Sequence, residues 1–322
     1  MKYLETGLVA ERSKQYIDRL TEVKSARRDT FGWMKDRLID MSVELEEIEV
    51  EMLTKLIPEL KDVELIRPRA KTEIGIVWQD KNNKLGAYGP YWKLTKYDDV
   101  TMQNKRPTKN VLRSIYKEEY AEQLLNNAVR MQELATRRNK LITVMSKILK
   151  LERSLPARSH IEFQSVRYPR ENKMMYQLAQ DRRAILLGFS KTLEQVLYQV
   201  EQLEKQIDEQ STLINQATKR RNNVISVSWR FLKTARSVYG ISGPEAYHLR
   251  INGRGYRYKK KIKRITRDVL RTALQRRQEK VILPAATQIR ELSKQREALL
   301  KPASDALMFI SAGLKIINNW SE

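Results

Sequence analysis

Between Phe31 and Met52 the apolar positions fall at Phe31, Met34, Leu38, Met41, Leu45, Ile48 and Met52, alternately three and four apart. That spacing predicts a helix with a seven-residue seam on one side. A second seam runs through Leu134, Leu141, Ile148 and Leu155, with Val144 and Leu151 at the complementary positions. The third is the longest: Leu186, Leu193, Val200, Ile207 and Ile214 step by seven, joined by Phe189, Val196 and Leu203 and interrupted by Gln210. Pro58 and Pro156 follow the first two seams and Pro169 precedes the third, which predicts helices over 11–57, 117–155 and 172–218. A stripe of Met and Leu at this spacing is packing surface, so it carries no chemistry of its own.

The segments between the helices have a different texture. Glu73–Gln79 and Gly89–Tyr97 read as β-strands around a turn at Lys81–Lys84. His248–Ile251 and Tyr256–Tyr258 flank Asn252-Gly253, a pair suited to a tight hairpin turn because both residues tolerate positive φ. The two halves of the chain also match each other. Lys105-Arg106-Pro107-Thr108-Lys109-Asn110-Val111-Leu112-Arg113-Ser114 aligns with Lys263-Arg264-Ile265-Thr266-Arg267-Asp268-Val269-Leu270-Arg271-Thr272, and Gly89-Pro90 with Gly243-Pro244. The fold class expected is therefore mainly α: long coiled-coil helices interrupted by two small β-hairpin units, with internal duplication. A first helix–hairpin–helix unit would occupy 1–160, a second, strongly basic one 161–300, and a C-terminal helix 301–322, centred on Pro302–Trp320. The Ala87-Tyr88-Gly89-Pro90-Tyr91-Trp92 stretch, followed by Leu94, resembles a short Gly-Pro-Tyr-Trp hairpin motif of bacterial and phage- or plasmid-borne proteins. The Gly-Gly turn and Tyr-Ile-Gly-Lys ending usual there are absent, and Gly243-Pro244-Glu245-Ala246-Tyr247 lacks the aromatic pair. The resemblance implies a prokaryotic or mobile-element setting and no activity.

Charge changes the picture most. The 322 residues carry 62 Lys and Arg against 39 Asp and Glu, a net charge of +23. Such a charge repels itself unless a polyanion screens it. It is also segregated: from Lys219 to Lys280 nineteen basic residues face only Glu245, Asp268 and Glu279, whereas Glu44, Glu46, Glu47, Glu49 and Glu51 crowd an early helix. The acidic run reads as a solvated face, or as a patch that meets the basic half of another copy.

The candidate nucleic-acid-binding residues follow from this segregation. They are Arg250, Arg254, Tyr256, Arg257, Tyr258, Lys259, Lys260, Lys261, Lys263, Arg264, Arg267 and Arg271, with a thinner set in the first copy at Lys93, Lys96, Lys105, Arg106, Lys109 and Arg113. A hairpin would turn Tyr256 and Tyr258 to one face and Arg257 and Lys259 to the other, for stacking or packing on one side and phosphate contact on the other. The three-and-four spacing of Lys260, Lys263, Arg264, Arg267 and Arg271 predicts a helix from about Lys261 with a basic stripe.

Catalytic readings find little support. With no Cys and two His far apart, His160 and His248, neither a thiolate nucleophile nor a zinc site of the usual ligands can be built in one chain. No glycine-rich phosphate loop occurs, and a carboxylate–metal site would have to close in three dimensions. No catalytic, cofactor or metal residue is assigned. No uncharged run reaches ten residues, whereas a membrane-spanning helix needs roughly 20 apolar ones. The N-terminus lacks the apolar stretch of a secretory signal. The expected protein is an intracellular, non-enzymatic architectural or accessory protein, cytoplasmic or nucleoid-associated or packaged in a virion. Its partner is DNA or RNA, with self-association or a protein partner through the seams. The alternative is a scaffold of a phage particle or large assembly, joined through Glu44–Glu51.

Overall fold

The computed structural model describes residues 2–67, 72–79, 88–96, 99–103, 105–152, 173–218, 223–232, 238–251, 257–272 and 278–319. The chain is mainly helical. Helix α1 (Lys2–Glu51) passes through a π-turn (Met52–Leu56) into the short α2 (Ile57–Leu60) and a 3-10 turn (Val63–Leu65). Strands β1 (Thr72–Gln79), β2 (Tyr88–Lys96) and β3 (Asp99–Gln103) precede α3 (Lys109–Ile115), α4 (Glu118–Glu152) and α5 (Lys173–Thr218). Strands β4 (Asn223–Phe231), β5 (Ile241–Ile251) and β6 (Arg257–Ile262) then lead to α6 (Arg267–Thr272) and α7 (Glu279–Asn318). Among the described residues no helix is long and apolar enough to cross a membrane.

The seams mark the buried sides of the helices. Met34, Leu38, Met41, Leu45 and Ile48 of α1, Leu134, Leu141 and Ile148 of α4, and Leu186, Leu193, Val200, Ile207 and Ile214 of α5 are all buried. Three expectations need correction. Each β-unit is a three-stranded antiparallel sheet, not a hairpin, in the orders β1-β2-β3 and β4-β5-β6. Ile251 pairs with Arg257, so the connection from β5 to β6 is five residues long, not two as expected at Asn252-Gly253, and those five lie outside the described residues. Helix α7 begins 23 residues before Pro302 and carries both Pro284 and Pro302 in its interior. An interior proline costs a hydrogen bond, but buried Ile282, Ala285, Ile289, Leu292, Leu300, Ala303, Ala306 and Ile310 hold this helix on both sides of each.

The fold packs as two compact units, each discontinuous in sequence: 1–34 with 192–307, and 35–191 with 308–322. The first is built on a buried charge cluster. Glu204 on α5, with a fully buried side chain, receives Arg27 of α1 at 2.9 Å and Arg296 of α7 at 2.7 Å, and both arginines are also buried. One carboxylate cannot neutralise two guanidiniums; Glu297 lies 3.6 Å from Arg296, and backbone carbonyls complete the set. The Tyr239 carbonyl accepts from Arg27 at 2.9 Å and from Arg296 at 3.2 Å, and the Ile241 carbonyl accepts from Arg296 at 2.9 Å. Gly240 makes this approach feasible: its φ is +60°, and a Cβ there would lie 2.5 Å from Val23 Cγ1. The Arg296 guanidinium also sits 5.1 Å from the Trp229 ring centroid, where the ring's negative face attracts a cation. Trp229 is fixed in turn, its ring N–H donating to Asp208 Oδ1 at 2.6 Å. Around these groups Ile207, Ile214, Ile225, Val227, Ile241, Leu270 and Ile282 form the apolar core.

The second unit contains the same constellation. Glu49 of α1 is fully buried between Arg138 of α4 at 2.8 Å and Arg182 of α5 at 2.9 Å. Arg138 lies 4.6 Å from the Trp78 ring centroid. Both tryptophans occupy the same place in their sheets. Trp78 lies opposite Gly89-Pro90, between the Val77↔Tyr91 and Gln79↔Tyr88 pairs, and Trp229 lies opposite Gly243-Pro244, between Ser228↔Glu245 and Arg230↔Ser242. Proline cannot donate to the ladder and each glycine has positive φ, +137° at Gly89 and +99° at Gly243, so a bulge forms at these points. Thr108 and Thr266 each cap the short helix that follows the sheet, their hydroxyls accepting from Val111 N–H and Val269 N–H.

Removing one partner of a buried, hydrogen-bonded ion pair strands the other charge and costs about 3–5 kcal/mol. Glu49→Ala and Glu204→Ala should each lower stability by that order in urea unfolding, while Glu47→Ala, at an exposed position, should stay within about 0.5 kcal/mol of the native protein. Burial opposes the charge on Glu49, but Arg182 and Arg138 overcome it and hold its carboxyl below the usual glutamate range. A carboxyl lowered on folding adds stability above its unfolded pKa and loses it as pH falls towards the folded value. Unfolding measured across acidic pH should therefore show a stability loss that is smaller in Glu49→Gln.

Candidate nucleic-acid interface

The basic residues after β5 do not form one helical stripe, which corrects the expectation of a helix from about Lys261. Strand pairing continues to Ala246↔Ile262, and the Thr266 cap delays the helix to Arg267. Lys260 and Lys261 consequently lie on opposite faces of β6, Lys263 and Arg264 in a bend, and Arg267 and Arg271 on α6. In the other unit Lys93 and Lys96 lie on β2, Lys105 and Arg106 in the bend before Thr108, and Lys109 and Arg113 on α3. Arg254 and Tyr256 lie outside the described residues. For Arg250, Arg257, Tyr258, Lys259, Arg271 and Lys96 the position in the strand or helix is described, and the side chain is not.

The bend forms one wall of a cleft of about 670 Å³ within the first unit. Gly243, Pro244 and Glu245 at the start of β5 form a second wall, and α7 from Ala286 to Glu297 the third. Val227, Ile262, Ile265 and Ile289 line its apolar part, and Lys261, Lys263, Arg264, Arg290 and Lys294 supply the cations. Arg290 and Lys294, one helical turn apart on α7, are functional candidates that sequence reasoning missed. Their signal is the spacing of Ile282, Ala285, Ile289 and Leu292, which defines a helix well before Pro302 and turns Arg290 and Lys294 to its exposed side.

The acids of the cleft are partly engaged. Glu245 accepts from Lys261 at 2.6 Å and from the Tyr247 hydroxyl and lies 3.8 Å from Arg230; the Lys261 bond is the largest influence holding its carboxyl below the usual range. Lys294 pairs with Glu291 at 2.9 Å, and Glu297, the third acid lining the cleft, lies 3.6 Å from Arg296; outside the lining, Arg267 pairs with Glu279 at 2.7 Å. Lys260, Lys263, Arg264 and Arg290 are exposed and form no ion pair among the described residues. A second cleft, of about 590 Å³, lies in the other unit and is lined by Lys105, Arg106, Thr108, Lys109, Leu125 and Gln132. There Lys109 pairs with Glu122, and Arg113 lies 3.5 Å from Glu118, which leaves Lys105 and Arg106 without an ion pair among the described residues.

The acidic run has a different fate from the one expected. Glu44 pairs with Arg137 at 2.5 Å, Glu46 with Arg183, Glu49 with Arg138 and Arg182, and Glu51 with Arg130 at 2.9 Å. Helix α1 therefore does not present these carboxylates as a solvated face; four of the five are spent inside their own unit. Among the described residues no group of three or more His, Asp or Glu is placed to hold a metal ion.

Exposed charges without partners contribute little to stability. Lys263→Ala with Arg264→Ala should therefore leave the unfolding free energy within about 0.5 kcal/mol of the native value, as measured in urea. Comparison of the chain with protein-family models, curated proteins and solved structures finds no match.

Proposed function

We propose that the protein binds nucleic acid through the cleft of the first unit, as a non-enzymatic architectural or accessory protein. The observation that carries this reading is the convergence of Lys263 and Arg264 from the bend with Arg290 and Lys294 from α7 on one cleft. Bases from two separate elements, three of them without an ion pair among the described residues, make a surface to which a phosphate chain can bring negative charge. The excess of nineteen bases over three acids between Lys219 and Lys280 supplies the surrounding field. Such contacts position a strand by its backbone and do not by themselves read bases.

The same reading includes an internally duplicated chain whose seams pack in the coiled-coil manner. Its support is the recurrence of one set of parts at nearly constant separation. Arg27 and Arg182, like Glu49 and Glu204, are 155 positions apart, Arg138 and Arg296 are 158 apart, and Trp78 and Trp229 are 151 apart. The scaffold alternative drew on a free acidic face at Glu44–Glu51. With four of those carboxylates paired internally, the nucleic-acid reading has the stronger support.

Nuclease-treated protein should be retained on DNA or RNA columns, with affinity falling roughly 10³–10⁵ between 50 and 200 mM salt if six to ten phosphates are neutralised. Replacing Lys261, Lys263, Arg264, Arg290 and Lys294 by Ala should remove most of that retention and lower the salt slope by about one per lost contact. Equal retention of the native and substituted proteins would reject the cleft as the site.

A further inference from the structure

The two clefts are made from corresponding parts. In the first unit Lys263 and Arg264 precede the capping Thr266 and face Arg290 of α7; in the second Lys105 and Arg106 precede the capping Thr108 and face Gln132 of α4. Four residues after each capping threonine stands a fully buried leucine, Leu270 in one unit and Leu112 in the other, whose backbone N–H donates to that threonine's carbonyl. Each unit also has its own buried glutamate between two arginines. Among the described residues each cleft is lined by its own unit alone.

From this we infer that one chain holds two nucleic-acid segments at once and so bridges them, an inference that rests on the nucleic-acid reading above. The sites are unequal. The second has Gln132 where the first has Arg290, and its Lys109 and Arg113 are drawn to Glu122 and Glu118, so Lys105 and Arg106 carry its attraction for phosphate. Fewer neutralised phosphates mean weaker binding at a given salt. Bridging needs both sites, whereas attachment needs only the stronger one. Bridging is accordingly lost at lower salt than attachment.

The shared chemistry is a phosphodiester backbone, and two arms of one experiment distinguish its source. Full-length, nuclease-treated protein is added to beads carrying duplex DNA together with fluorescent duplex DNA in solution; a parallel arm uses single-stranded RNA for both. The native protein should capture the fluorescent strand in at least one arm and release it, as salt rises, before it leaves the beads itself. Lys105→Ala with Arg106→Ala should stay on the beads while capture falls to background. Capture equal to that of the native protein by this variant would overturn the inference, because bridging would then arise by self-association through the first unit. Attachment of the native protein without capture would overturn it while leaving the nucleic-acid reading intact. Failure of the native protein to attach at all would overturn both.

Discussion

A glutamate buried between two arginines is the constraint on which each unit depends. In the first unit Glu204 joins α5 to α1 and α7 through Arg27 and Arg296; in the second Glu49 joins α1 to α4 and α5 through Arg138 and Arg182. Such a cluster need not be more stable than an apolar one of the same volume. What it supplies is register, because a helix that slipped by one turn would leave a guanidinium in the core with no acceptor. The sheets serve the same end. The Gly-Pro bulges lie opposite Trp78 and Trp229, and each ring meets the guanidinium of Arg138 or Arg296.

This internal use of charge shapes what remains outside. Four of the five acids in the acid-rich stretch of α1 are paired with Arg137, Arg138, Arg182, Arg183 and Arg130, so they are not free to screen basic residues elsewhere. Around the cleft of the first unit the carboxylates of Glu245, Glu291 and Glu279 hold Lys261, Lys294 and Arg267, but Lys263, Arg264 and Arg290 stay unmatched among the described residues. Sequence-level charge counting therefore overstated the number of available bases and understated how sharply the rest are placed. On the proposed reading, a phosphate at Lys261 or Lys294 would have to displace a carboxylate.

The long helices were legible because their apolar positions recur every three and four residues with few interruptions, and Glu118–Glu152 ends, and Lys173–Thr218 begins, close to where Pro156 and Pro169 suggest. Helix α7 was harder to see, since Pro284 and Pro302 are ordinarily read as boundaries. Strand β4 carried a readable signal, the alternation of Ile225, Val227, Trp229 and Phe231 with Ser226, Ser228 and Arg230, whereas Asp99–Gln103 is too short and polar to announce a strand. The buried arginines could not be told from surface ones in a single copy, because a guanidinium in a seam looks like an interruption. Only laying Arg27 on Arg182 and Glu49 on Glu204 exposes them. The cleft was half legible: Lys263 and Arg264 stood out as charge, but their meeting with α7 is a product of the fold.

The most direct test of the central proposal, that the bases around the first unit's cleft receive the phosphate chain, is lysine footprinting by acetylation with and without bound nucleic acid. The account predicts protection of Lys263 and Lys294, with exposed Lys205 and Lys301 reacting as fast in the complex as in the free protein. Unaltered reactivity at Lys263 and Lys294 in a saturated complex would contradict it.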